Sequence, residues 1–278
     1  MDGPRSPSRA ITDAEVDRFW RDGVVLLPAV LDIEAVVAMR QPVDRLITAP
    51  TALADMSEMA ESFGGTPEKG PGRFVSGTDH WIDDPDFAAF ATRSALPAIA
   101  AALLRSSKIN LYEDSVLVKE PGTAETTALH QDLAYFHVDG EQICTMWIPL
   151  DPVDRRSGAV HYLPGSHLDG RVYRPNFFVT DEAIPGTAGE PVPTVDTEQL
   201  ISYDTGPGDV VVHHARTLHG ATANTTNDRI RRAISLRYAG DDARYRMRPG
   251  APRKPHHVDA LSGEELDHPR CPVVWPPS

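Results

Sequence analysis

The sequence predicts a mainly β fold with flanking helices, an α+β chain in which short strands form a sandwich or barrel and helices pack on one side. Two observations support this class. Before residue 109, apolar residues recur at helical spacing. After it come five short runs of β-type residues, each closed by Gly, Pro, Asn or Asp. The runs are Leu111–Lys119, Cys144–Leu150, Ala159–Leu163, Asp209–His213 and Ala233–Tyr238.

The helical front end begins with a capping box. Thr12 is followed three positions later by Glu15, and the apolar-periodic segment that they introduce ends at Gly23. Asp32 has the position of an N-cap for a second helix. The residues of that helix that we expect to face the core are Ile33, Val36, Val37 and Met39.

Three further segments complete the front end. Val24–Leu27 is an apolar run of strand length. The stretch 54–80 contains Gly-Gly and Gly-Pro pairs and is predicted to be irregular loop. The stretch 85–105 is rich in Ala, Phe and Leu and is predicted to be one helix.

The domain organisation follows from these patterns. Residues 1–10 carry Pro, Ser, Arg and Gly without periodicity, so we expect a disordered lead-in. The remainder, 11–278, is predicted to be one domain, with a helical front end at 11–108 and a strand-rich core at 109–240. Within that core, about 165–200 has the length and composition of a lid insertion. The stretch 241–278 is proline-rich and is expected to wrap the outside.

Composition and charge exclude several classes of protein. With 278 residues and a formal net charge of −13, the chain is a poor candidate for binding nucleic acid or an anionic membrane. The first ten residues contain no apolar segment, so we expect no secretory signal. Cys144 and Cys271 lie far apart and form no CxxC pair, which excludes a disulfide scaffold and a thiolate metal knuckle. We therefore expect a cytoplasmic, reduced protein.

Ten of the eleven histidines lie at or beyond position 130, and the first of these belongs to Leu129-His130-Gln131-Asp132. On an extended strand, residues i and i+2 project to the same face, so the imidazole of His130 and the carboxylate of Asp132 can converge on one point. A His-x-Asp triplet is common by chance and usually marks surface polar residues. On this motif alone, a metal site is the less frequent outcome.

A third ligand strengthens the metal hypothesis. The segment GDVVVHHARTLHG offers His213, His214 and His219. Two histidines and one carboxylate on one face of a metal leave the opposite positions open, which is the arrangement of non-haem Fe(II) oxygenases. The alternative is that these histidines end an ordinary strand.

A cation follows on the next predicted strand. If 231–238 is extended, Arg231, Ala233, Ser235 and Arg237 share one face. An inward guanidinium is costly unless a carboxylate meets it, and its planar fork suits bidentate binding. Arg231, with Ser235 beside it, can thus hold the far carboxylate of 2-oxoglutarate. The alternative is an exposed basic strand that also carries Arg229 and Arg232.

Four segments resemble the phytanoyl-CoA dioxygenase family, in order and over most of residues 12–240. They are FWRDGVVLLPAVLD at 19–32, LHQDLAYF at 129–136, MWIPLDPVDRRSGAVHYLPGSH at 146–167 and HGATANTTNDRIRRAISLRY at 219–238. The resemblance implies a double-stranded β-helix (jelly-roll, cupin-like) core over 109–240. It also implies Fe(II) as the metal, with 2-oxoglutarate and O2 as co-substrates.

Carried over by position, the resemblance makes His130, Asp132 and His219 the iron ligands. It makes Arg231 the partner of the 2-oxoglutarate carboxylate and places Trp147 in the co-substrate pocket. Arg229 is the fallback if the loop register differs. The family often has Ser where this chain has Ala221, which removes one hydroxyl contact. Related iron halogenases of the wider superfamily carry a small residue in place of the aspartate, so Asp132 argues against halogenation.

The implied activity is hydroxylation of an unactivated C–H bond, with release of succinate and CO2. Natural-product tailoring and an acyl or carboxylate substrate are both compatible with the resemblance. The basic run Arg244, Arg246 and Arg248 favours an anionic small molecule, unless it is a solvated segment. Two other functions stay open: a non-redox cupin-type metal isomerase, which needs no Arg231, and a catalytically silent small-molecule-binding jelly-roll. The sequence does not indicate an oligomeric state.

Overall fold

The computed structural model describes residues 5–266 and 268–277. The α-helices in these residues are α1 (Asp13–Asp22), α2 (Ile33–Ala38), α3 (Arg40–Thr48), α4 (Met56–Ser62), α5 (Pro85–Arg93) and α6 (Leu96–Leu104). The strands are β1 (Val24–Leu27), β2 (Ala54–Asp55), β3 (Phe74–Thr78), β4 (Ile109–Lys119), β5 (Thr127–His130), β6 (Val138–Asp139), β7 (Ile143–Pro149), β8 (Val160–Tyr162), β9 (Ile201–Ser202), β10 (Val210–His214), β11 (His219–Ala221), β12 (Arg231–Ala239), β13 (Arg244–Tyr245) and β14 (Val273–Trp275). Short 3-10 turns connect several of them.

Two antiparallel sheets enclose the interior of a jelly-roll. The main sheet runs in the order β1-β10-β7-β12-β4-β3-β2, and β14 pairs with the first residues of β4. The second sheet has the order β5-β11-β8-β9. Side chains from both sheets line one internal cavity. The mainly β fold with flanking helices that the sequence predicts is confirmed.

Side-chain alternation divides the main sheet into two chemical faces. Even-numbered residues of the central strands, among them Met146, Val212 and Ile234, are buried in a large apolar core together with α1, α5 and α6. Odd-numbered residues, such as Trp147 and Arg231, point into the cavity between the sheets. Because the side-chain period of a strand is two, one face can be entirely apolar while the other carries polar chemistry.

The front end contributes strands as well as helices. The predicted capping box is confirmed, since the Thr12 hydroxyl accepts from Glu15 N and the Glu15 carboxylate accepts from Thr12 N. The prediction of irregular loop over 54–80 is wrong, because this stretch contains β2, α4 and β3. The whole of β3 pairs with β4, from Phe74 opposite Lys119 to Thr78 opposite Ser115. Pairing with β4, which is distant in the sequence, stabilises β3. The glycines on either side of β3 make this strand difficult to predict from the sequence.

The single helix predicted over 85–105 is two helices, α5 and α6. Pro97 has no N–H to donate to the carbonyl of Arg93, so a continuous helix is broken at this point. The Arg93 carbonyl instead accepts from Arg5 N at 3.0 Å. The 20-residue stretch Pro85–Leu104 is apolar enough by length and composition to cross a membrane, but 61% of its most apolar window is buried inside the protein. It therefore behaves here as a core element.

Two smaller expectations differ from the structure. Ile33 is 56% exposed, whereas Val36 is fully buried, because Ile33 occupies the first position of α2 at the solvent edge of the core. Residues 5–10 lie against the body of the protein where the sequence predicts disorder; for example, Ser8 N donates to Val30 O at 2.9 Å. Residues 1–4 of that predicted lead-in lie outside the described residues.

A buried carboxyl on β4 makes the stability of this fold depend on pH. Asp114 is fully buried, and its Oδ2 accepts one bond, from Trp81 N at 3.2 Å, while Oδ1 has no hydrogen-bond partner in the described part of the chain. Burial raises the pKa of Asp114 to about 7, above the ordinary value near 4. Between about pH 4 and pH 7, Asp114 is therefore protonated in the folded state and ionised in the unfolded chain. The stability that this proton gives is complete below pH 4 and is lost as the pH rises to 7.

We expect Asp114→Asn to stabilise the protein more at pH 8 than at pH 5. The amide keeps the acceptor for Trp81 N but carries no charge, so the difference should be about 2–3 kcal/mol. Urea unfolding of both proteins at the two pH values measures it. Asp181→Asn, at an exposed position, is the matched control. An equal gain at both pH values would contradict the pKa shift.

Candidate metal centre

Strand pairing brings the predicted ligands together. His130 is the last residue of β5, and Asp132 opens the 3-10 turn that follows it. His219 is the first residue of β11, which runs antiparallel to β5 with His219 directly opposite His130. The motif that contains His130 and Asp132 and the motif that contains His219 are far apart in the sequence. The antiparallel pairing of β5 with β11 brings them together.

The three side chains form a compact, buried group. Nε2 of His130 lies 3.7 Å from Oδ1 of Asp132, and Nε2 of His219 lies 3.8 Å from the same oxygen. The three candidate ligand atoms all lie within 4.8 Å of one another. Two imidazoles and one carboxylate at this separation can hold a divalent metal ion, and this donor set suits Fe(II).

The hydrogen bonds of the two imidazoles leave their Nε2 atoms free to bind a metal. Nδ1 of His130 contacts the carbonyl of Ala128 at 2.8 Å, and Nδ1 of His219 contacts the carbonyl of Thr217 at 2.9 Å. A carbonyl only accepts, so each Nδ1 carries the proton and each Nε2 presents a lone pair. Nε2 of His130 is buried and has no hydrogen-bond partner among the described residues. A metal ion would satisfy this atom.

Asp132 is held in its ionised form. Burial opposes its ionisation, but the Arg237 guanidinium and the hydrogen bond with the His213 imidazole outweigh burial and lower the pKa of Asp132 well below its usual value. Thr145 Oγ1 also donates to its Oδ2. The carboxylate is therefore charged over the whole physiological range, as metal ligation requires.

The structure separates the three candidate histidines of the late motif. His219 lies in the metal-ligand group, and the side chain of His213 also faces the cavity, with Nε2 at 3.3 Å from Asp132 Oδ2. His214 points to the opposite face of β10, where Nε2 contacts Glu141 O at 2.8 Å and the ring packs near Trp20. Only two of the three thus take part in this site.

The other end of the cavity is cationic. Arg231 and Lys119 are paired across β12 and β4, and both are almost completely buried. Nζ of Lys119 lies 4.7 Å above the centre of the Phe74 ring and donates to two backbone carbonyls. Arg231 makes one hydrogen bond, from Nη1 to Leu117 O at 3.2 Å, and its Nε has no partner among the described residues. Burial lowers the pKa of Arg231 to about 9, so it is still charged at neutral pH.

A buried guanidinium without a bonded carboxylate is costly unless an anion meets it. Trp147 and Ser235 line the wall between this end and the metal-ligand group, and Ala221 presents a methyl group there. Arg229, the fallback residue, does not line the cavity and pairs instead with Asp154 at 2.9 Å. The cavity thus has the polarity that a dicarboxylate such as 2-oxoglutarate needs.

Residues of the segment that the sequence predicts to be a lid contact the chain around His130. Gln131, which points away from Asp132, accepts from Tyr173 N at 2.9 Å, and Ala128 N donates to Phe178 O at 2.8 Å. The Phe178 ring stands 4.9 Å from the His130 ring and lines the cavity. Its backbone has φ of +71°, a conformation that non-glycine residues adopt only under constraint. The segment is therefore attached to the strand that carries the candidate ligands.

Sequence reasoning missed several residues of the site. Thr145 shares a face with Trp147, and this two-residue spacing was the available signal. Arg237 shares a face with Arg231, but the basic run around it also suggested an exposed strand. Lys119 and Phe178 carry no sequence signal of this kind. A separate cavity of about 740 Å³ is lined by none of the predicted site residues.

Comparison with protein families gives one match that covers most of the chain. Residues 19–233 match the model of "Phytanoyl-CoA dioxygenase (PhyH)". Phytanoyl-CoA dioxygenase 1 of Oryza sativa is 22% identical over 245 residues, which are 78% of this chain and 85% of that protein. The 1-deoxypentalenic acid 11-beta-hydroxylase of Streptomyces exfoliatus is 28% identical over 220 residues, which are 76% and 75% of the two chains.

Solved structures share the fold. The epimerase SnoN from nogalamycin biosynthesis, in complex with Fe3+, alpha ketoglutarate and nogalamycin RO, is 26% identical to this chain, with a TM-score of 0.69. The match covers 94% of this chain and 98% of that one. The similarity therefore extends over nearly the whole of both proteins.

We expect Gly158→Ala to weaken 2-oxoglutarate binding and leave Fe(II) binding unchanged. Gly158 has φ of +95°, and a Cβ there would lie 3.3 Å from Arg231 Nε and 3.2 Å from Lys119 Cδ. The cationic end of the cavity would shift, while the metal-ligand group would not. Anaerobic titrations with each ligand measure the two affinities. Gly186→Ala, at a positive φ in open space, is the control for backbone strain. Equal loss in both variants would contradict the role of Gly158.

Proposed function

The chain belongs to the phytanoyl-CoA dioxygenase family and is an Fe(II)- and 2-oxoglutarate-dependent dioxygenase, and from this premise we propose which residues serve it and on what kind of substrate. His130, Asp132 and His219 hold the iron. Arg231 holds the far carboxylate of 2-oxoglutarate. The substrate is a small organic molecule that is hydroxylated at an unactivated C–H bond.

The observation that carries this proposal is the convergence of the three buried side chains within 4.8 Å. These residues would hold Fe(II), which together with 2-oxoglutarate and O2 would supply the oxidation of the C–H bond, with 2-oxoglutarate converted to succinate and CO2. The protein's part is to orient the ligands: the Ala128 and Thr217 carbonyls set the histidine tautomers, and burial excludes water.

The cationic end supports 2-oxoglutarate as the partner of this metal. Arg231 retains a buried Nε that has no partner among the described residues, whereas burial and the neighbouring Arg231 lower the pKa of Lys119 well below its usual value. A guanidinium suits the planar carboxylate, and Ser235 and Trp147 close the wall between the two ends. A cupin-type isomerase or a silent binding protein would gain nothing from this buried charge, so both alternatives are less well supported.

For the substrate we favour natural-product tailoring and an anionic group. One relative is named as the hydroxylase of 1-deoxypentalenic acid, and one solved neighbour belongs to nogalamycin biosynthesis. Of the basic run, Arg248 and Arg244 have acidic partners, Asp139 and Glu265, whereas Arg246 is exposed without an ion pair among the described residues. Arg246 also lines a cavity of about 300 Å³ beside the lid segment.

We place the enzyme in the cytoplasm. Cys144 and Cys271 are both free and buried, and burial raises the pKa of the Cys271 thiol to about 11. Such thiols are inert and compatible with a reducing compartment.

We expect a new metal-to-ligand charge-transfer band when the anaerobic protein is titrated with Fe(II) and then with 2-oxoglutarate. Asp132→Ala should lose the band because the metal is no longer held. Arg231→Ala should keep the metal and weaken 2-oxoglutarate binding by roughly 10–100-fold, since a buried charge-assisted pair is lost. Visible absorption measures both effects, and Arg229→Ala is the matched control.

The result that would overturn the proposal is a folded, iron-loaded wild-type protein without the band. The non-redox isomerase would then become the better hypothesis. A band that survives in Arg231→Ala but is lost in Arg229→Ala would instead reverse the assignment of the carboxylate partner.

We expect succinate release to be faster with small carboxylic acids than with their methyl esters. Arg246→Glu should remove this preference by raising the KM of the acids several-fold, because a like charge replaces the attraction. Succinate assays on a panel of acid and ester pairs test this. The charge reversal Arg171→Glu, on the exposed part of the lid segment, is the control. Esters that are turned over as well as acids would exclude an anionic substrate.

A further inference from the structure

A row of polar side chains crosses the inner face of the main sheet below Asp132. His213 of β10 is in register with Thr145 of β7, and Thr145 is in register with Arg237 of β12. Arg237 is in turn opposite Glu113 of β4. Residues directly opposite on one face have adjacent side chains, so this register alone places an imidazole, a hydroxyl and a guanidinium side by side.

The first three members of the row face the same carboxylate oxygen. Thr145 Oγ1 donates to Oδ2 of Asp132, His213 Nε2 lies 3.3 Å from it, and Arg237 Nε lies 3.9 Å from it. The other oxygen, Oδ1, faces the two candidate ligand histidines. The two oxygens of one buried carboxylate thus have entirely different surroundings.

We propose that His213, Thr145 and Arg237 are positioning residues that present Oδ1 of Asp132 to the metal and hold Oδ2 away from it. This inference rests on the proposed iron site. A site with two histidines and one carboxylate has to keep positions open for its co-substrates, and a carboxylate that binds through both oxygens would occupy one of them. The three side chains of the row therefore keep Asp132 bound to the metal through one oxygen only.

The charges along the row are balanced. Arg237 lies 3.5 Å from Glu113 Oε1, and Glu113 Oε2 lies 2.7 Å from Lys254 Nζ. Arg237 is therefore shared between two carboxylates and does not form a bidentate pair with Asp132. A buried sequence of alternating charges with fixed partners gives each group one preferred geometry.

His213 acts through the carboxylate and not on the metal. To donate to a carboxylate, its Nε2 must carry a proton, whereas a metal ligand must present a lone pair there. His213 also lies on the side of Oδ2, outside the group of ligand atoms within 4.8 Å of one another. The sequence alone leaves His213 as a candidate ligand, and its position here distinguishes the two roles.

The test is an anaerobic Fe(II) titration, followed by 2-oxoglutarate, of two pairs of variants. Thr145→Val and His213→Phe each remove one donor to Oδ2, whereas Thr145→Ser and His213→Gln keep a hydroxyl and an N–H. We expect the first two to weaken Fe(II) affinity about tenfold or more and to shift the charge-transfer band. The conservative variants should restore both signals. Thr123→Val removes a buried hydroxyl elsewhere and should bind as the wild type does.

If Thr145 and His213 act on the same oxygen, the effects of their substitutions on Fe(II) affinity should overlap. The double variant Thr145→Val/His213→Phe should lose less affinity than the product of the single effects, because both donors serve the same oxygen. If Thr145→Val or His213→Phe does not fold, the other of these two variants still tests the inference together with Thr145→Ser and His213→Gln.

Two results would overturn the inference while the proposed function stands. In one, the wild type binds iron and the folded truncation variants bind it equally well with an unchanged band. In the other, His213→Gln is as weak as His213→Phe while Thr145→Val is normal, which would make His213 a ligand. A wild type that does not bind Fe(II) would overturn the proposed function together with this inference.

Discussion

The site depends on one antiparallel register, that of β5 with β11. Because His219 stands directly opposite His130, two imidazoles from distant parts of the chain have adjacent rings, with centroids 4.2 Å apart. A slip of this pairing by one residue would turn one of the two side chains to the opposite face of the sheet and dissolve the group. The buried surroundings add to this constraint, since each histidine also holds a backbone carbonyl through Nδ1.

The main sheet complements this register by separating its two faces. The outer face buries apolar residues against α1, α5 and α6, so the sheet is held rigidly by packing. The inner face is then available for charged and polar groups, arranged in cross-strand rows. One row contains Arg231 and Lys119 at the cationic end, and another contains Thr145 and Arg237 near Asp132. The apolar core thus supports buried charges that would destabilise a less well packed protein.

The polar rows explain how a small interior serves two ligands of different chemistry. An ionised Asp132, a low-pKa carboxylate beside a guanidinium, attracts a divalent cation. Arg231, at the other end, attracts an anion. Phe178, in a constrained backbone conformation, places its ring next to His130 at the metal end.

Local sequence patterns determined much of this protein. Runs of β-type residues closed by turn residues predicted the central strands, and Thr12 with Glu15 predicted the start of the first helix. The two-residue spacing of His130 and Asp132 predicted that their side chains converge. The chain's resemblance to a family supplied His219 among three candidate histidines. The tertiary structure alone decided what depends on distant partners. Phe74 becomes a strand residue only because β4 pairs with it, Pro97 splits a helix whose apolar pattern is continuous, and Arg237 is buried only because Glu113 and Asp132 share its charge. Periodicity reports the nearest neighbours of a residue along the chain, whereas the environment of a buried charge is set by strands that the chain reaches only after folding.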